Sequence, residues 1–162
     1  MIKKLFFLLL LILPFFITSS LYSLDKIPFL CPIQYKNDIL IRSDAMGDGF
    51  FASPRNGRRI HKGIDLLACV GTPIFAAQAG RVIAAKANNG MGKYVTIRHR
   101  HKIITIYGHL DEIFVKKGDF LRQGAIIGSA GKTGNAKYSG IQPHLHFEVR
   151  KKGIPQDPLA YL

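Results

Sequence analysis

A chain of 162 residues with 16 glycines and 48% hydrophobic side chains has room for one domain of ordinary size and a short appendage. Its formal net charge of +13 implies an anionic partner or surface, a demand that nucleic acid, anionic lipid and an acidic cell-wall polymer all meet. Nucleic acid is set aside, because neither a basic helix nor an interleaving of aromatic and arginine residues accompanies the charge.

The N-terminus narrows the choice. Lys3 and Lys4 precede the apolar run Leu5 to Ile17, and Thr18, Ser19 and Ser20 follow it. A positive start, a short apolar stretch and small residues near a cut site read as a secretory signal peptide over residues 1–23, cut after Ser20 or Ser23. The apolar run falls short of the roughly 18 residues that a spanning helix needs. Extension through Leu21 and Tyr22 makes the rival, an uncleaved leader that associates with the membrane. Either way the protein is exported, to the periplasm or cell envelope. Cys31 lies too far downstream to be a lipid-attachment site. An oxidising compartment permits a disulfide between Cys31 and Cys69, the only pair available, and the sequence leaves that bond open.

Residues 24–45 are an extended lead-in. Leu24 to Asn37 is mixed and proline-containing, and Asp38 to Ser43 reads as a first strand. Gly47-Asp48-Gly49 is turn chemistry, and Phe50-Phe51-Ala52 begins a strand that Ser53-Pro54-Arg55-Asn56-Gly57 breaks. His61-Lys62-Gly63-Ile64-Asp65 reads as extended, since Gly63 and β-branched Ile64 disfavour a helix; His61 and Asp65 then share a face. Gly63 between them leaves room for a shared ligand, and Ile64 and Leu66 face the core. Ala68 to Thr72 is a turn, Pro73 to Ala77 is extended, and Arg81 to Lys86 is a strand. Tyr94 to Arg98 and Ile103 to Tyr107 form a hairpin over His99-Arg100-His101-Lys102. Val115 to Asp119 and Gly124 to Gly128 are short strands, and Gly131 to Gln142 is a long loop. No helix is expected beyond the leader. So many strands and turns predict an all-β domain, a sandwich or an open curved antiparallel sheet.

The last strand, around His144-Leu145-His146-Phe147-Glu148-Val149, carries the chemistry. Alternation puts His144, His146 and Glu148 on one face and Leu145, Phe147 and Val149 on the other, with the two imidazoles about 7 Å apart at Cα. A core has no use for adjacent buried imidazoles, each of which needs a polar partner. The second His-x-His pair, His99 and His101, sits among Arg98, Arg100 and Lys102, which disfavour a dication; it reads as a solvated hairpin tip. His109 ends a strand at a turn, where functional groups project from a scaffold. His61, Asp65 and one of His144 or His146 make a donor set suited to zinc, with a fourth position for water. Cys69 is a rival ligand on a turn leading away. The two remaining imidazoles, His109 and the other of the pair, can take the proton of the water or hold the oxyanion.

These residues resemble the lysostaphin-type or LytM-like zinc peptidases of peptidoglycan, peptidase family M23. His61-x-x-x-Asp65, Tyr107-Gly108-His109-Leu110 and His144-x-His146 match its three motifs in order. Ser53-Pro54-Arg55, Gly71-Thr72-Pro73, Gly131 to Ala136 and Pro143 to Val149 add to the likeness, which spans about Phe50 to Arg150. The resemblance implies one Zn2+ per chain on His61, Asp65 and His146, with His109 and His144 as catalytic histidines. It implies a curved sheet of the duplicated hybrid motif type, with a loop-walled groove for a peptide of the wall. The peptidase domain would run over residues 46–158, with 159–162 as a tail. The expected reaction is hydrolysis of an amide in a peptidoglycan stem peptide or cross-link.

Two rivals stand beside it. A non-catalytic relative would bind the wall or activate another hydrolase through a regulatory protein contact, although such relatives have typically lost ligands and all five positions are present here. A biotinyl- or lipoyl-type carrier is suggested by Val115-x-x-Gly118-Asp119, but it lacks a lysine at a hairpin tip beside Met or Asp.

Overall fold

The computed structural model describes residues 28–162 apart from 56 and 58, so the leader, with its cut site or anchor, and Arg58 lie outside the described residues. The strands in chain order are β1 (Ser43–Asp44), β2 (Gly47–Asp48), β3 (Ile64–Leu67), β4 (Pro73–Phe75), β5 (Gly80–Asn88), β6 (Gly92–Arg98), β7 (Ile103–Ile113), β8 (Phe120–Leu121), β9 (Ile126–Ala130), β10 (His144–Lys151) and β11 (Ile154–Gln156). Among the described residues, helical structure is confined to 3-10 turns at Arg100–Lys102, Gly134–Lys137 and Pro158–Ala160. The described residues are all-β apart from these turns, as the sequence pattern predicts.

One antiparallel sheet runs in the order β11-β10-β7-β6-β5-β8. β3 pairs with the first half of β10, and β9 pairs with the far end of β7 and carries β4. Register shifts between Val82 and Ala84, Lys93 and Val95, and Leu110 and Glu112 bend these long strands. Alternation then gives the sheet two unlike faces. Val82, Val95, Ile97, Tyr107, Leu145, Phe147 and Val149 point into the core with Ile64, Leu66, Ile74 and Ile127. Truncating Phe147 to Ala would cost about 3–5 kcal/mol, the usual range for a buried aromatic. On the other face, Arg81, Arg98, Ile104 and Arg150 lie in one register row across four strands, and none of them is fully buried. Further along β10 the same face becomes covered, with Glu148 and His146 buried.

The lead-in wraps the sheet from one end to the other. The Phe29 and Leu30 amides donate to the Tyr161 and Ala77 carbonyls at 3.1 and 2.8 Å, and the Tyr35 hydroxyl donates to the Leu67 carbonyl at 2.9 Å. Three expected strands differ. Residues 38–42 lie along β3 with only an isolated bridge from Ile41 to Leu66, because the hairpin of β1 and β2 turns the chain away. Phe50 to Ala52 is a turn, with Ala52 at φ 60°. Val115 to Asp119 bends at Gly118 (φ 104°), and the strand falls on Phe120–Leu121 instead.

His99 is also not a solvated tip. Only 9% exposed, its Nδ1–H donates to the Ala79 carbonyl at 2.9 Å and its Nε2 lies 2.7 Å from the Thr105 hydroxyl. Thr105 continues the chain to the Tyr107 hydroxyl at 3.0 Å, which accepts the Ala77 amide at 2.9 Å. The cationic neighbours seen in the sequence point outward while the imidazole turns in. His101, at φ 54°, is the exposed residue of the pair.

Candidate functional site

Strand pairing builds the site. β10 lies between β3 and β7, so His146 stands opposite Asp65 on one side and Gly108 on the other. His144 and His146 share the face opposite the core, as alternation along the strand predicts. Gly108 keeps that face clear: a Cβ there would stand 3.0 Å from Met91 Sδ and 3.5 Å from His146 Cβ.

His109 follows Gly108, and simple alternation would send its ring into the core. Its backbone is left-handed (φ 61°), next to the register shift, and this turns the ring back onto the site. The Met91 carbonyl accepts its amide at 2.8 Å. Histidine tolerates this backbone region better than most side chains, and such backbone outliers gather at functional sites.

His61 precedes β3 rather than lying in it. The Ser53 carbonyl accepts its amide at 2.9 Å and its own carbonyl accepts the Ala52 amide at 3.0 Å, so the loop of the fifties holds it over Asp65. Gly63 is needed for a different reason than room for a ligand. A Cβ there would collide with the Phe147 carbonyl oxygen and the Glu148 Cγ, so only glycine lets the chain cross β10.

Three donor atoms converge. His61 Nε2 lies 3.0 Å from Asp65 Oδ1 and 3.0 Å from His146 Nδ1, and His146 Nδ1 lies 2.8 Å from Asp65 Oδ1. All three residues are buried, with 3–7% of their surface exposed. Tetrahedral zinc with bonds of about 2.0–2.1 Å separates its ligands by about 3.3 Å, so a triangle of this size accepts it with a small opening. Two imidazoles and one carboxylate are a zinc donor set with a position to spare.

Carbonyl partners fix the tautomers. His61, His109 and His144 each donate Nδ1–H to a carbonyl, of Phe50, Thr133 and Gln142, at 2.8, 2.9 and 2.6 Å. Each therefore presents Nε2 to the site as the free nitrogen. The rings of His109 and His144 meet edge to face with centroids 4.9 Å apart, and His144 Nε2 is 3.8 Å from Asp65 Oδ1. Burial, then the charge of His146 and His144, pushes the His109 pKa down to about 3. Burial lowers His144 as well, against the pull of Asp65. Both are neutral at pH 7 and able to accept a proton.

His146 behaves oppositely. Burial works against its charge, but hydrogen bonds to Asp65 and to Glu148 Oε1 (3.0 Å) outweigh it and push the pKa up to about 9. Without an ion it is an imidazolium between two carboxylates, and an ion taken onto Nδ1 would displace that proton. Burial would raise Asp65, yet the hydrogen bond from His146 and the charge of His146 hold it well below the ordinary carboxylate range.

Several of these groups are not evident from motifs. Glu148, 2% exposed, orients His146 through Nε2 and is itself held by Arg150, at 2.7 Å from Nε and 2.6 Å from Nη2. Strand parity already placed it on the histidine face. Arg42 and Arg55 both reach Asp65 Oδ2, at 3.1 and 3.0 Å. Arg42 stood in an apolar run, Ile-Leu-Ile-Arg, as a cation that a half-buried strand would not choose. Cys69 is an exposed free thiol and Cys31 a half-buried free thiol, so no disulfide joins them and Cys69 stands apart from the donor triangle.

Residues 59–158 match the family model of peptidase family M23. Among curated proteins, the peptidoglycan DD-endopeptidase ShyC of Vibrio cholerae is 39% identical over 132 residues, covering 70% of this chain and 30% of its own. A solved zinc-containing peptidase from Vibrio cholerae superposes with a TM-score of 0.68 at 33% identity, covering 82% of this chain and 40% of its own. A chain of the SpoIIQ–SpoIIIAH pore-forming complex gives 0.69 at 26% identity, covering 83% and 90%. The chain spans 24–36% of the length of three curated relatives that it matches.

Proposed function

The chain belongs to peptidase family M23, and on that premise we propose that it is an exported zinc-dependent endopeptidase cutting amide bonds in peptidoglycan stem peptides or cross-links. The observation that carries the proposal is the triangle of His61 Nε2, Asp65 Oδ1 and His146 Nδ1, with edges of 2.8–3.0 Å, beneath two neutral imidazoles. One zinc held by these three residues would supply a Lewis acid and a water acidified towards a pKa of about 7.

The protein's own groups do the rest. His144 and His109, fixed by the Gln142 and Thr133 carbonyls, present Nε2 lone pairs for the proton lost as water attacks. Once protonated, either donates to the developing oxyanion or the leaving amine. Glu148 accepts from His146 Nε2–H, which keeps the ring from turning. The open sheet face, with half-buried Ile104 and Ile106 and exposed Arg81 and Arg98, offers a floor on which an extended, carboxylate-bearing peptide can lie. The Vibrio cholerae relative is named a DD-endopeptidase, and the same bond class is the first to test here. Placement in the periplasm or cell envelope follows from the substrate and from the leader.

A second reading has one specific support, the likeness to a chain of the SpoIIQ–SpoIIIAH complex. In that reading the domain acts through a regulatory protein partner. Zinc analysis of the purified protein separates the two. The enzyme reading expects one zinc per chain, lost in His61→Ala and Asp65→Ala; a wild-type protein without stoichiometric zinc would favour the non-catalytic reading.

A further inference from the structure

The carboxylate of Asp65 is divided between two environments. Oδ1 faces the imidazoles of His61 and His146 at 3.0 and 2.8 Å. Oδ2 faces away, into two guanidinium groups: Arg42 Nε and Nη2 at 3.3 and 3.1 Å, and Arg55 Nη2 at 3.0 Å. Arg42 is only 4% exposed, and its Nη1 lies 2.6 Å from Asp44 Oδ1, an ion-pair contact without hydrogen-bond geometry. Arg55 is anchored separately, donating from Nη1 to the Asp48 carbonyl at 2.6 Å.

The backbone of the same segment closes on Asp65 from both sides. The Arg42 amide donates to the Asp65 carbonyl and the Asp65 amide donates to the Gly49 carbonyl, each at 2.8 Å. The Gly49 amide completes the loop by donating to the Arg42 carbonyl at 2.8 Å. A side chain at 49 would come within 2.7 Å of that carbonyl and 3.0 Å of Asp65 Cβ. The segment reaches the other side of the site too. Asp44 Oδ2 accepts the Gln142 amide at 2.9 Å, and the Gln142 carbonyl accepts His144 Nδ1–H at 2.6 Å. Arg42, Asp44 and Arg55 all precede residues 59–158, the part of the chain that matches the family model.

Two buried or half-buried guanidinium groups on one carboxylate oxygen exceed what holding a loop in place requires, since a buried ion pair is rarely more stabilising than apolar packing. We propose that Arg42 and Arg55 are positioning residues of the metal centre: by occupying Asp65 Oδ2 they reserve Oδ1 as the single oxygen offered to an ion, which makes the segment from Leu40 to Gly49 part of the active site. The proposal rests on the metal-centre reading above.

Zinc affinity by competition with a chromophoric chelator, and the visible spectrum of the cobalt(II)-loaded protein, test it in Arg42→Gln, Arg42→Lys, Arg55→Gln and the double Gln variant. Loss of a group that orients a metal ligand weakens binding by roughly 10–100-fold. The Gln variants are expected to fall in that range. Their cobalt absorption is expected to weaken as the freed Oδ2 joins the coordination sphere. Arg42→Lys, which keeps a cation but not the fork, is expected to recover part of both. Arg55→Gln carries the test if Arg42→Gln does not fold, because the Arg55 side chain is already 21% exposed. Gln variants with wild-type zinc affinity and an unchanged cobalt spectrum would overturn the clamp alone. A wild-type protein that takes up neither metal would refute the metal centre and the clamp with it.

Discussion

Glu148→Gln is the most informative change outside the donor triangle. It keeps the shape of the side chain and removes the charge facing His146 Nε2 at 3.0 Å, in a position only 2% exposed. A hydrogen bond to a charged group contributes about 1.5–3 kcal/mol, and the amide oxygen of Gln retains part of it as a neutral acceptor. At about 1.4 kcal/mol per factor of ten, zinc affinity is expected to fall roughly tenfold and by no more than about a hundredfold. The metal-free protein also loses one of the two carboxylates that flank the buried His146 imidazolium, so it is expected to melt lower than wild type while still folding. Chelator competition above pH 9, where His146 is neutral without the ion, reads the affinity free of proton competition, and thermal melting of the metal-free protein reports whether the fold is intact. A folded Glu148→Gln protein that bound zinc within about twofold of wild type would refute the orienting role.

Three further outcomes follow from the same geometry. His109→Asn keeps a side chain suited to φ 61° and removes the imidazole, so zinc should stay at one per chain while hydrolysis of purified sacculi falls at least about a hundredfold; normal digestion would remove His109 from the mechanism. Burial lowers the pKa of His99 below its unfolded value of 6.5, so its contribution to stability is complete above that pH and is lost as pH falls below it. Melting temperatures between pH 7 and pH 5 should therefore fall less steeply in His99→Gln than in wild type, and equal slopes would contradict this. The net charge of +13 predicts adhesion to anionic wall polymers that weakens with salt, and co-sedimentation with sacculi that ignored salt would count against it.

The sequence carried the parts of this site that follow from strand parity. Alternation along β10 put His144, His146 and Glu148 on one face and Leu145, Phe147 and Val149 in the core, which are 0% exposed. It could not say which imidazole joins His61 and Asp65. That choice came from the family resemblance, and it coincides with the register in which His146 stands opposite Asp65. Features set by contacts between distant segments were beyond its reach. The left-handed backbone of His109 depends on the Met91 carbonyl and a neighbouring register shift. Arg42 shows in the sequence only as an unexpected cation in an apolar run, because its partner, Asp65, lies 23 residues away. Local composition misled at His99, whose cationic neighbours say nothing about the Thr105 hydroxyl beneath the turn. A glycine at position 63 suggests room for a ligand, although the space it opens is filled by the backbone of β10.

The central claim is that His144 and His146, one strand step apart, divide proton transfer and metal binding between them. Mass spectrometry of fragments released from purified sacculi by zinc-loaded wild type and zinc-loaded His144→Ala tests it most directly. Wild type is expected to release muropeptides cut at a single class of peptide amide bond, and His144→Ala, with its zinc retained, to release none. Identical fragments at equal yield from both proteins would contradict the division of labour.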